Sequence, residues 1–236
     1  MDCFVDRVKF KEVDNDQDDT DKLWALESAY ECARSNLDCV TVATDASVCT
    51  DHTIQAVAAV FLLHRDELLW WFHCAVGKAT TPDAELFALQ LGVEHACCVP
   101  NAKLIVLFTD HITAVQSAVD PSTHSGQAHS LAVCGCLMEW LGADAEHTIE
   151  FHEVRSHLKW PFHQSVHAYA TDPSFQVSMG AHPSTTLGYL HKAKVEACKD
   201  EWTRLFALPT YAGKDFLRLC KGDDKFIQPT YLHGGV

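Results

Sequence analysis

The sequence predicts an α/β domain: a five-stranded mixed sheet, built from an antiparallel hairpin followed by parallel crossovers and flanked by helices. Three observations carry this expectation. Residues 40–46, Val-Thr-Val-Ala-Thr-Asp-Ala, are rich in β-branched side chains and read as a buried strand. Residues 54–63 and 68–76 are two further apolar runs, and the polar stretch His64-Arg65-Asp66-Glu67 between them makes a hairpin the economical connection. Residues 104–108, Leu-Ile-Val-Leu-Phe, form a continuous apolar run between helical patterns, as in a strand buried on both faces.

The remaining elements are taken in chain order. Residues 1–39 form an acidic N-terminal extension with 11 acids against 5 bases. Within it Asp14, Asp16 and Asp18 have the alternation of a calcium loop. The turn position, however, holds Asp19 instead of glycine, and the last ligand position holds Ala25 instead of glutamate. A solvated linker is therefore the reading of 12–21. Residues 22–34 make a short helix with Leu23, Leu26 and Tyr30 on one face. After the hairpin, Thr81 reads as an N-cap with Pro82 at the first helical position of a helix over 82–98. A short helix is expected over 111–119 and a longer one over 127–141, with Leu131, Cys134, Leu137, Met138 and Leu141 facing inward. A fifth strand at 148–154 and a helix at 162–170 complete a domain over 40–172. Beyond it lie a C-terminal helix, expected over 187–206 with Leu190, Cys198, Trp202 and Leu205 on one stripe, and a tail, together spanning 173–236.

Composition excludes several function classes. The chain of 236 residues carries a formal net charge of -14, and residues 40–172 hold 15 acids against 5 bases. Such a domain is not a basic nucleic-acid platform; bound cations or a partner must offset repulsion from a polyanion. Eleven cysteines occur without a C-x-x-C pair or a signal peptide, which predicts reduced thiols, an intracellular protein and no zinc ribbon. The longest apolar runs are too short to span a bilayer, so no membrane association is expected.

Three acids carry the chemistry. Asp45 closes the first apolar strand and Asp110 comes after the fourth. Right-handed crossovers bring those two strand ends together in the middle of the sheet. Glu85 has Ala88, Leu89 and Gly92 as its same-face neighbours on a helix, so it sits on the buried stripe and needs a partner. The alternative is a partly exposed acid favoured by the helix dipole. Three carboxylates from three elements suit a hard divalent cation.

In these residues and their neighbours the chain resembles the ribonuclease H family (type 1-like), in particular the ribonuclease H domains of fungal non-LTR retrotransposons. The matching pieces are Thr44-Asp45-Ala46-Ser47, Asp83-Ala84-Glu85-Leu86-Phe87-Ala88-Leu89, Phe108-Thr109-Asp110 and Val154-Arg155-Ser156-His157, in order and on the expected elements. The tail phrase Pro229-Thr230-Tyr231-Leu232-His233-Gly234-Gly235 also resembles the segment downstream of the domain in those retrotransposons.

The resemblance implies a ribonuclease H-like fold and hydrolysis of the RNA strand of RNA·DNA hybrids by a two-metal displacement. Mg2+, with Mn2+ as the alternative, would be held by Asp45, Glu85 and Asp110. Ser47 and Glu85 would contact the substrate, Glu85 at the RNA 2′-OH. His157 would assist proton transfer and product release.

One departure stands out. The family phrase Asn-Glu-x-Ala-Asp is His163-Gln164-Ser165-Val166-His167 here, so His167 takes the place of the fourth acid. Imidazole is a poorer Mg2+ ligand than carboxylate, so weaker binding of one ion and a shift toward Mn2+ are expected. His163 and His167 also share the i,i+4 spacing of zinc ligands, without the glutamate of a metalloprotease motif. A separate reverse transcriptase or other delivery partner is the expected companion. The rival reading is a catalytically impaired, transposon-derived module that acts as a binding or interaction domain; a third is another nuclease or transposase of the same fold.

Overall fold

The computed structural model describes residues 2–14, 16–49, 53–65, 67–180 and 184–211. Its elements run β1 (Val8–Lys11), α1 (Asp19–Ser35), β2 (Cys39–Ser47), β3 (Ala56–His64), β4 (Glu67–Gly77), α2 (Thr81–Cys97) and β5 (Leu104–Thr109). They continue with α3 (Ile112–Ala118), α4 (Gln127–Ala143), β6 (Thr148–Glu153), α5 (Pro161–Ala170) and α6 (Leu187–Ala207). Met1–Gly188 form one compact unit and Tyr189–Val236 a second, which is described over 189–211. The tail phrase at 229–235 lies outside the described residues.

The fold class is the expected one: a mixed sheet in the order β1-β6-β5-β2-β3-β4, flanked by helices. β2-β3-β4 form the antiparallel meander, and β5 and β6 add in parallel to β2. Among the described residues the strand count is six, not five. β1 pairs in parallel with the outer edge of β6, from Val8↔Ile149 to Lys11↔His152. Only Val8 of its four residues is buried, so it lacks the apolar run that reveals a strand in sequence. Arg7 fixes its approach by donating to the Leu141 and Asp144 carbonyls at 2.8 and 2.7 Å, which closes the C-terminal end of α4.

Side-chain alternation along β2 divides the core. Val40 and Val42 face α2, α3 and α4, whose Leu86, Leu89, Val93, Val115, Val133 and Leu137 complete the main core. Ala43 faces the opposite side, where Val166 and Ala170 of α5 pack against it. α1 covers the same side through Leu26 and Ala33, against Phe108, Leu158 and Trp160. α2 lies close to β2 because position 92 is glycine: a Cβ there would meet Thr44 Cγ2 and Val42 Cγ1 at 3.0 Å.

Four local expectations are corrected. The N-cap of α2 is Thr80, which places Pro82 inside the first turn. The acidic run is partly helical: Asp18 caps α1 by accepting from the Asp21 amide at 2.8 Å, and Asp19 and Asp21 occupy the favoured first turn. On α4, Leu131 and Met138 are about half exposed, and Ser130, Val133 and Trp140 are buried instead. With apolar residues around most of its circumference, α4 offers no single stripe, and packing against α2 chooses the face. α6 buries none of its residues among those described, and Trp202 stacks on Phe206 one turn away.

Candidate metal centre

β2 and β5 are parallel neighbours, with Ala43 opposite Phe108. Asp45 and Asp110 therefore leave the same end of the sheet. Asp45 shares the face of Ala43, so its side chain meets α5. His167 Nδ1 donates to Asp45 Oδ2 at 2.9 Å. One turn earlier, His163 Nε2 donates to the Thr44 carbonyl at 3.2 Å. Ligand atoms of Asp45, Asp110 and His163 all lie within 4.8 Å of one another.

Glu85 enters from the first turn of α2. Both Glu85 and Asp45 are only 2% exposed. Glu85 Oε1 accepts from the Ala46 amide at 3.1 Å, while Oε2 is buried with no hydrogen-bond partner among the described residues. The start of α2 is pinned by a neighbour that sequence reasoning missed. Asp83, also buried, accepts hydroxyl hydrogen bonds from Thr80 (2.8 Å), Ser125 (2.6 Å) and Thr186 (2.5 Å). The available signal was the Thr80-Thr81-Pro82-Asp83 spacing, a capping arrangement. Burial alone would raise the Asp83 carboxyl; these donors outweigh it and hold it below its ordinary value.

The site itself is short of positive charge. Burial, then the nearby Asp110, pushes the Asp45 carboxyl up to about 7, although His167 pulls the other way. Glu85 is raised well above its ordinary value by burial, and further by Asp45 and Asp110. Burial lowers His163, which keeps it neutral and leaves one ring nitrogen with its lone pair. Close carboxylates, an orphaned carboxylate oxygen and a neutral imidazole fit a divalent cation that prefers oxygen and tolerates nitrogen.

The structure brings Asp45 and Asp110 within ligand distance of each other, sets Glu85 near enough to feel both charges but outside that group of ligand atoms, and holds His167 on Asp45. It places His163 inside the cluster, although the family resemblance put His167 in the ligand position. The usable signal for His163 was the buried 163, 166, 170 stripe of α5. His157 lies on the short helical turn Ser156–Leu158, with Nε2 3.3 Å from Asp19 Oδ1, and does not join the cluster. Ser47 ends β2 opposite Val57 and lines a cavity of about 110 Å³ with Gln55, Thr171 and Phe175.

No family model and no curated protein matches the chain. Solved structures similar to it are ribonuclease H domains. One is the N-terminal RNase H domain of a Mycobacterium tuberculosis protein, solved as a fusion with maltose-binding protein. It is 16% identical over 51% of this chain and 91% of that chain, with a TM-score of 0.39. An RNase H1 isolated from compost by a metagenomic approach is 12% identical over 55% of this chain and 91% of that chain, TM-score 0.43. The RNase H domain of prototype foamy virus is 16% identical over 56% of this chain and 88% of that chain, TM-score 0.43. At these identities and TM-scores the likeness carries no functional weight.

Proposed function

We propose that the protein is a metal-dependent endonuclease of the ribonuclease H type that hydrolyses the RNA strand of RNA·DNA hybrids. The observation that carries this reading is the closeness of Asp45 and Asp110 at one end of the sheet, with Glu85 near enough to feel both charges and its Oε2 buried without a hydrogen-bond partner among the described residues. Mg2+ or Mn2+ would be held by these three acids, and when bound would supply water activation and neutralise charge at the phosphate.

The chain's own residues do the rest. The Ala46 amide orients Glu85, whose remaining oxygen is then available to the metal or to a ribose 2′-OH. His167 orients Asp45 through the Nδ1 hydrogen bond. Ser47, at the mouth of β2, is the proposed backbone contact. His157 is proposed to exchange its exposed partner Asp19 for the reacting phosphate and to move a proton there. Because the domain is acidic, cation loading, or delivery by a partner such as a separate reverse transcriptase, is part of the proposal, as are an intracellular site of action and a retrotransposon origin.

Cleavage of a labelled RNA·DNA hybrid in Mg2+ and in Mn2+ tests the reading, with duplex RNA and Asp45→Asn as controls. Hybrid-specific cutting that the substitution removes is the expected result. The second reading, a binding module that no longer cuts, is favoured by the 2.9 Å His167–Asp45 hydrogen bond, which satisfies one carboxylate oxygen without an ion. Folded protein that binds hybrid but cuts it in neither metal supports that reading.

A further inference from the structure

Residues 184–188 lie beyond the domain bounds of 40–172 that the sequence predicts, yet they reach back to the helix that carries Glu85. Lys78, just past the end of β4, is bracketed by two backbone hydrogen bonds. Its amide donates to the Ser184 carbonyl at 2.7 Å, and its carbonyl accepts from the Thr186 amide at 2.9 Å. Lys78 and Thr185 thus form a parallel bridge. Glycine at position 77, with φ +89°, makes room for it, because a Cβ there would collide with the Ser184 carbonyl oxygen. The bridge delivers the Thr186 hydroxyl to Asp83 Oδ2, to which it donates at 2.5 Å. Gly188 closes on the same carboxylate; a Cβ there would lie 2.6 Å from Asp83 Oδ2 and 2.8 Å from Ser125 Oγ.

We propose that residues 184–186 are a positioning strap for the metal centre, in which Thr186 acts through Asp83 to hold the start of α2, and with it Glu85, in place for a divalent cation. The role rests on the reading of Asp45, Glu85 and Asp110 as metal ligands. The first amides of a helix have no carbonyls ahead of them, so a helix start keeps its place through caps and side-chain contacts. Glu85 lies two residues past Asp83, about 3 Å along the helix axis. Its Oε1 accepts from the Ala46 amide at 3.1 Å, which orients one oxygen. The placement of the helix start decides where the other, buried and without a hydrogen-bond partner among the described residues, is directed. Thr80 caps α2 from its own stretch of chain, whereas Ser125 and Thr186 tie Asp83 to segments 42 and 103 residues away. Removing a group that orients a metal ligand costs about 10–100-fold in metal affinity or activity.

The test titrates Mn2+ into the full chain by calorimetry and, separately, follows hybrid cleavage against Mn2+ concentration. Thr186→Val keeps the side-chain shape and removes the donor, so it should bind Mn2+ at least about tenfold more weakly. The midpoint of its cleavage curve should rise by the same factor. Thr186→Ser restores the hydroxyl and should bind like the parent. Gly188→Ala keeps every hydroxyl but wedges the strap off Asp83, and should weaken Mn2+ binding in the same direction. Metal-free melting curves verify that each variant folds. A folded Thr186→Val or Gly188→Ala chain with the parent's Mn2+ affinity overturns the proposal even where its metal-free midpoint falls, because a merely structural contact moves only the melting curve. So does a Thr186→Ser chain as weak as Thr186→Val. A parent chain that binds no Mn2+ overturns instead the reading of the three acids as ligands, and the strap's role falls with it.

Discussion

Asp45 governs how the site responds to pH. Its folded pKa of about 7 stands above the ordinary 3.8, because burial and Asp110 disfavour the anion. Between those values the folded chain holds a proton that the unfolded chain has released. The associated stability is full below the unfolded pKa and is lost as pH rises through the folded one, on the order of 4 kcal/mol. Without divalent cations the melting midpoint should therefore fall between about pH 4 and about pH 7. Asp45→Asn should flatten that slope and raise the midpoint at the alkaline end; a parent midpoint that climbs steadily over the range contradicts the reading. Added Mg2+ should restore the lost stability and release protons, measurable by calorimetry in buffers of different ionisation heat. His167→Asp replaces the Nδ1 donor with a carboxylate, so Mg2+ should bind at least about tenfold tighter. An unchanged affinity would mean that position 167 lies outside the site. The three acids were legible because Asp45 ends the apolar run within β2, Asp110 comes just after β5, and Glu85 shares a helix face with Ala88, Leu89 and Gly92. His163 was not, because its depth comes from α5 packing through Val166 and Ala170 on Ala43, a contact between distant segments.

At the scale of the element, the distance between α2 and β2 decides where Glu85 sits. Gly92 lies on the same face two turns along, and a methyl group there presses on Thr44 and Val42. Gly92→Ala should cost about 1–3 kcal/mol in urea unfolding despite alanine's better helix propensity. It should also reduce hybrid cleavage by shifting Glu85 away from the Ala46 amide; a stabilised, fully active variant would count against this role. α4 offers a second contrast. Val133→Ala removes fully buried methyl groups and should cost about 1–3 kcal/mol, whereas Leu131→Ala, on a half-exposed side chain, should change stability by no more than about 0.5 kcal/mol. This is where the sequence could be read only in part. Strands and helices with a clean period or a long apolar run were legible to within a residue or two. The inward face of α4 was not, because apolar residues surround it, and β1 was not, because one buried residue in four leaves no pattern.

For the whole molecule, the segment before α1 belongs to the sheet. Deleting residues 1–11 removes β1 and the Arg7 contacts at the end of α4, and bares the outer edge of β6. The truncated chain should unfold at lower urea and associate at lower concentration, checked by light scattering beside the denaturation curve. A truncation that melts like the parent would show that the edge contributes little. The pairing of β1 with β6 also has a meaning in time. Lys9 meets Glu150 across a separation of 141 residues. A ribosome adding about 5–20 residues per second needs roughly 7–28 s to cover that distance, and longer before β6 clears the exit tunnel. Over that interval β1 waits for β6, and the nascent chain carries an unmatched edge that a chaperone, or a protease, can reach first.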